Sequence, residues 1–118
     1  MKAPSPDEIR LDAGLPESAS FHGWLIHNPE QDDFLLKAND HHGALTFAWC
    51  PSPESAKRYN RFSRAYKALN SFELEDRAII VASFDIGRQI IVIAPKQFHE
   101  RLMTDSNNPF RASDLLKH

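Results

Sequence analysis

The sequence has few of the residues that mark cross-linked folds or familiar cofactor sites. Cys50 is its one cysteine, so no intramolecular disulfide can form, which suits a reducing compartment. Its four glycines lie far apart, and none belongs to a glycine-rich loop of the kind that binds nucleotide phosphates. Dinucleotide-binding and P-loop motifs are therefore excluded.

Long hydrophobic runs and an excess of positive charge are also missing. The most apolar stretches, AIIVASF and QIIVIA, are far shorter than the ~20 residues that span a bilayer. The opening MKAPSPDEIR lacks the apolar core of a signal peptide. The formal net charge is −2, so overall charge does not predict nucleic-acid binding. We expect a soluble cytoplasmic protein that does not contact membranes.

Known spacings of metal ligands and catalytic groups do not occur. The six histidines form no His-x₃-His or His-Glu-x₂-His pattern, and the acidic turns lack a Gly-centred calcium loop. Cys50 precedes a predicted helix start, but a catalytic thiolate also needs a histidine partner. A lone cysteine at a strand end is usually a core residue. We expect no cofactor, no metal and no enzymatic activity.

The length and composition are those of one ordinary globular domain. The chain has 118 residues, of which 42% are hydrophobic and 25% charged. We predict a single α+β domain over residues 1–118. Residues 1–19 are expected to form a loosely docked arm with a short helix, in which Ser5 is the N-cap and Pro6 the first helical residue.

Five segments have the apolar patterns of strands. Residues 20–28, 34–39 and 44–50 are joined by short polar turns and predict an antiparallel meander. The continuous apolar runs AIIVA and IIVIA flank a turn at residues 85–88, in which Gly87 can adopt a positive φ. Because both runs are apolar on both faces, we expect the two strands of this hairpin to be central.

Residues 52–69 have the pattern of one continuous helix. Ser52 is a suitable N-cap, and Pro53 suits the first helical position. The expected buried stripe comprises Ala56, Tyr59, Phe62, Tyr66 and Leu69. A second helix is expected from Pro95 through PKQFHERLM. The predicted architecture is a largely antiparallel sheet of about five strands with two main helices packed on one face.

Positive charge is concentrated on the first of these helices. Its candidate binding residues are Lys57, Arg58, Arg61, Arg64 and Lys67. Such a face is either solvated, a contact surface for an acidic protein, or a nucleic-acid site that neutralises phosphates. Tyr59 and Tyr66 are expected on the core side, where they cannot stack on bases. Acids in nearby turns could also neutralise the face.

The segment WCPSPESAKRYNRFSRAYKA resembles a pattern found in small accessory proteins of phages, plasmids and integrative elements. The residues that carry the resemblance are Trp49, Pro51, Ala56, Arg58, Tyr59 and Ala65. The preceding GWLIHN and FLLKA resemble the β-meander of those proteins, so the resemblance covers about residues 24–69. It implies no catalytic residues. PSPDEIRLDAGL is similar to the start of some helix-turn-helix repressors, but strand-like sequence follows at once, which excludes the complete motif.

These observations predict a non-enzymatic accessory protein that acts through protein–protein contact. The partner is unidentified, and association with a second copy of the chain stays open. The alternative is a nucleic-acid-binding module that uses Lys57, Arg61 and Arg64.

Overall fold

The computed structural model describes residues 3–99, which form an antiparallel sheet of five strands with two α-helices. This confirms the predicted α+β fold. The elements in chain order are α1 (Pro6–Asp12), β1 (Ser20–Asn28), β2 (Asp33–His41), β3 (Ala44–Cys50), α2 (Phe62–Ser71), β4 (Ile79–Asp85) and β5 (Ile90–Ile93). Short 3₁₀ turns occupy Pro53–Ser55 and Lys96–Phe98. The strand order is β3-β2-β1-β4-β5.

The meander of β1, β2 and β3 is present, with polar turns as predicted. In the first turn, the Asn28 side-chain oxygen accepts the backbone N–H groups of Glu30 and Gln31 at 3.0 and 3.2 Å. In the second, the Asp40 carboxylate accepts the N–H of Gly43, which has a φ of +83°. These side-chain acceptors replace strand hydrogen bonds where the chain reverses.

The predicted hairpin around Gly87 is also present, but the expected position of its second strand was wrong. Gly87 has a φ of +103°, and the Asp85 carboxylate accepts its N–H at 2.8 Å. β4 is buried along most of its length between β1 and β5. β5 instead lies at the edge of the sheet and is half-buried. The central strand is β1, because it pairs with β4 along one side and with β2 on the other.

The predicted helix over residues 52–69 was wrong in its first half. Pro53 does begin a helical turn, but that turn is a 3₁₀ turn ending at Ser55, and α2 starts only at Phe62. Between them, the Lys57 N–H donates to the Leu35 carbonyl at 2.9 Å. Tyr59 exchanges two backbone hydrogen bonds with Trp24, at 2.8 and 2.9 Å.

These bonds explain why the segment is extended. β1 and β2 pair directly only at His27–Phe34 and Asn28–Asp33, and then diverge. Trp24 and Leu35 are buried, so their backbone groups need protein partners in place of water. The residues around Tyr59 provide those partners, and tertiary hydrogen bonds thereby override the local helical pattern.

α2 covers one face of the sheet with a stripe of apolar side chains. Phe62 meets the ring of Trp24 edge-on at 5.2 Å, and Ala65 and Leu69 are almost completely buried. Phe84 and Phe21 continue this aromatic cluster, with 5.7 Å between their ring centroids. The part of the predicted stripe that lies within α2 is therefore on the buried side.

α1 has the predicted cap. The Ser5 hydroxyl accepts the Glu8 N–H at 3.4 Å, and Pro6 is the first helical residue. Ile9 is the only buried residue of this helix. A second helix was predicted to begin at Pro95, and the structure has a 3₁₀ turn there, at Lys96–Phe98. The later residues of that predicted helix lie outside the described part of the chain. Among residues 3–99, no helix has the length and hydrophobicity needed to cross a membrane.

Candidate functional site

All five cations singled out from the sequence line one open groove, which we call the basic groove. Its cavity volume is about 610 Å³. The lining residues are Lys57, Arg58, Tyr59, Asn60, Arg61, Arg64, Lys67, Ala68, Ser71 and Phe72. No aspartate or glutamate is among them. The positive side chains therefore surround a depression, whereas the sequence predicted the outer side of a single helix.

Two backbone segments form the two sides of the basic groove. One side is α2, which contributes Arg64, Lys67, Ala68 and Ser71, at the spacing of a single helical face. The other is the extended segment 57–61, which precedes the helix. Ala68 and Ser71 are small, so a ligand can approach the helix closely between the longer cations.

Tyr59 belongs to the wall of the basic groove, although the sequence predicted it on the core side of a helix. Its backbone is fixed to Trp24 by the pair of hydrogen bonds described above. The ring is half-buried, and the Lys57 ammonium lies 5.7 Å from its centroid. A tyrosine hydroxyl is already protonated at neutral pH, and burial raises the pKa of the Tyr59 hydroxyl further. The groove thus has an uncharged aromatic side chain between its cations, on a backbone held by hydrogen bonds.

Arg58 is held across β1 at Gly23. A Cβ atom at Gly23 would lie 2.3 Å from Arg58 Cγ, and the φ of +151° also disfavours a larger residue there. The Ser83 hydroxyl donates to the Gly23 carbonyl at 2.6 Å, which fixes this irregular point in the strand. Arg58 Nη1 lies 3.1 Å from His22 Nδ1 and donates to it when that nitrogen is unprotonated. Burial first, and the Arg58 charge second, lower the pKa of His22.

No salt bridge within the described residues joins an acid to a cation of the basic groove. Within residues 3–99, the ion pairs are His27–Asp32, Arg77–Asp76 and Lys96–Asp12, and none includes a groove cation. The acids in nearby turns therefore form no salt bridge with it.

Arg61 is in addition the N-cap of α2. Its side chain makes no capping hydrogen bond, and the first turn has no acidic residue. A cation here faces the positive end of the helix dipole, which is an unfavourable position.

The other candidates from the sequence lie apart from the basic groove. Cys50 is buried, and its thiol donates to the Ser52 carbonyl at 3.4 Å. His41 ends β2 and His42 begins the turn that follows; both are exposed, with ring centroids 5.0 Å apart. Over the described residues, no group of three or more His, Cys, Asp or Glu side chains is arranged to hold a metal ion.

The sequence did not indicate the other lining residues of the basic groove, which are Tyr59, Asn60, Ala68, Ser71 and Phe72. The α2 part could have been found from the spacing of residues 64, 67, 68 and 71 once the helix start was known. Asn60 and Phe72 flank α2, and only the tertiary fold brings them to the same groove.

We compared the chain with protein-family models, with curated protein sequences and with solved structures, and found no match. The resemblance to accessory proteins of mobile elements therefore stays a prediction.

Proposed function

We propose that this chain is a small non-enzymatic binding protein whose basic groove holds a polyanionic macromolecule, with nucleic acid as the first candidate. The observation that supports this most directly is the convergence of five exposed cations on one concave surface without a lining carboxylate. Cations in such a position release counterions when they neutralise phosphates, and this release drives binding regardless of base sequence.

The chemistry of the groove favours phosphate over other partners. Three of the five cations are arginines, whose planar guanidinium groups bind phosphate oxygens in a bidentate manner. Protein interfaces, in contrast, usually have an apolar centre. The large apolar side chains exposed within the described residues are Leu11, Leu36 and Ile86, which lie on α1, on β2 and in the β4–β5 turn. They do not supply such a centre.

An acidic protein is the second candidate, and the net charge of −2 is the observation that favours it. The net negative charge of the protein repels a long polyanion at a distance. A compact acidic partner can still be attracted by the positive groove at short range. A role as an accessory protein of a mobile element, located in the cytoplasm, is part of the same proposal. The sequence resemblance and the lone cysteine support that setting.

The proposal is tested by fluorescence anisotropy with labelled DNA and RNA, using poly-glutamate as the acidic polypeptide. Titrations at about 50 and about 150 mM salt measure the electrostatic contribution to binding. The test variant replaces Lys57, Arg61 and Arg64 with alanine. The matched control replaces Arg10, Lys37 and Arg88, which do not line the basic groove, so both variants lose three positive charges.

We expect nucleic-acid binding that persists at about 150 mM salt, is abolished in the groove variant and is retained in the control. Equal losses in the two variants would show that net charge, and not the groove, governs binding. Binding of poly-glutamate without binding of nucleic acid would replace the first candidate with the second.

A further inference from the structure

We infer that the basic groove selects single-stranded nucleic acid over duplex and places bases against Tyr59. This inference rests on the proposed function and specifies the form of its ligand. It is drawn from the shape of the groove, the position of its aromatic side chains and the polar groups that line it.

The shape of the groove is unsuited to a duplex. Proteins that read duplex DNA usually insert a projecting helix or β-ribbon into the major groove. Here the face of α2 that carries Arg64 and Lys67 lines a depression, and the segment 57–61 flanks it. A helix that enters the major groove has to project beyond its neighbours, and a helix face that lines a depression is poorly placed for that. A single strand is flexible enough to enter the depression and to place its phosphates among cations on both sides.

Aromatic side chains lie where such a strand would run. Tyr59 and Phe72 line the groove together with the five cations, and both are half-buried. Proteins that bind single strands without sequence preference combine a positive groove with aromatic rings on which bases stack. The backbone of Tyr59 is held in place for stacking, because it makes two hydrogen bonds with the backbone of buried Trp24. A bound base would stack on the ring in place of the Lys57 ammonium, and that ammonium would then bind a phosphate of the strand.

Polar groups for the base edges are present as well. The Asn60 amide and the Ser71 hydroxyl both line the groove. Neither side chain has a hydrogen-bond partner among residues 3–99. A duplex hides the Watson–Crick edges of its bases, so these groups suit an unpaired base better than a paired one.

The test compares a labelled oligothymidylate of about 12 nucleotides with a duplex of the same length, within the range of known single-strand sites. The key variant is Tyr59→Leu, which keeps an apolar side chain but removes the aromatic ring. Tyr59→Phe is the rescue variant, because it restores the ring. Tyr66→Leu is the matched control, since Tyr66 packs on Phe62 and does not line the groove. Circular dichroism melts verify that each variant is folded.

We expect the single strand to bind at least about tenfold more tightly than the duplex. Tyr59→Leu should weaken single-strand binding by at least about fivefold, the lower end of the effect of losing one stacked base. Tyr59→Phe and Tyr66→Leu should bind like the parent protein.

Three results would overturn the inference. Duplex binding as tight as single-strand binding would refute the selectivity, and an unchanged affinity in folded Tyr59→Leu would refute the stacking. In both cases the proposed function would survive, provided that the triple groove variant loses binding. Absence of binding to every nucleic acid tested would remove the proposed function and this inference together.

Discussion

At the scale of single residues, the contact between His22 and Arg58 joins the basic groove to the sheet. Arg58 lines the groove, and its guanidinium lies 3.1 Å from His22 Nδ1. Only the neutral imidazole can accept this hydrogen bond, since a protonated ring donates from both nitrogens. Asp85 and Glu54 favour the protonated form, but they act less strongly than burial and Arg58, which oppose it.

Acidification should destabilise the protein through His22. The pKa of His22 in the folded chain lies below the ordinary value of 6.5, which we assign to the unfolded chain. As the pH falls through that value, the unfolded chain binds the proton first, so the free energy of unfolding decreases until the folded-state pKa is reached. Urea titrations between about pH 7.5 and about pH 5.5 should show a smaller decrease for His22→Gln than for the parent. Parallel curves for the two proteins would contradict the assignment.

At the scale of elements, the residue that begins α2 lines the basic groove but caps the helix poorly. Arg61 has the extended backbone of an N-cap, with φ −124° and ψ 139°, but no side-chain oxygen to accept an orphan N–H group. Asp, Asn, Ser and Thr are the residues that stabilise this position. A residue that contradicts the local preference while lining a candidate site is a sign of function.

Replacing Arg61 with serine should therefore stabilise the protein and weaken ligand binding. We expect a gain of about 0.5–2 kcal/mol in the free energy of unfolding, the usual contribution of an N-cap hydroxyl. Arg61→Ala is the control, because it removes the same charge without supplying a cap; it should change stability by less than about 0.5 kcal/mol. Denaturant titrations measure both values. If the two variants were equally stable, Arg61 would not be the N-cap in solution.

At the scale of the whole molecule, the sheet is held together around β1 and β4. β1 pairs with β4 along most of its length, and Leu25, Ile26, Ile80 and Ala82 are fully buried. Within residues 3–99, β3 and β5 are the two edges of the sheet. The outer strands are more exposed to solvent, so local opening should begin there and leave the centre intact.

Amide hydrogen exchange should report this order. We expect the slowest exchange over residues 79–83 and 24–26, because β1 and β4 pair with each other there and the side chains are buried. Residues 90–93 should exchange faster than residues 79–83, as expected for an edge strand. Mass spectrometry of exchanged peptides, or NMR, can measure both. Protection of β5 equal to that of β4 would indicate that another chain or segment covers its outer edge.

The sequence by itself determined the strands, the turns and the identity of the cations. Period-2 alternation in ALTFAWC, the polar turns and the apolar runs around Gly87 are local signals, and each predicted its element correctly. The Ser5 cap of α1 is equally local. These features could be predicted because neighbouring residues alone decide them.

Only the tertiary structure decided which strand is central, where α2 begins and what shape the basic face has. The sequence of β5 is as apolar as that of a central strand. β5 nevertheless lies at the edge, because β1 takes the central position by pairing with β4 on one side and with β2 on the other. Tyr59 fits a helical stripe by spacing, but the buried backbone groups of Trp24 require hydrogen-bond partners, and Tyr59 supplies them. These two hydrogen bonds hold residues 57–61 outside the helix, so the cations line a groove and not the outer side of one helix. The conformation of this segment therefore depends on backbone hydrogen bonds between residues far apart in sequence, which no local sequence pattern can predict.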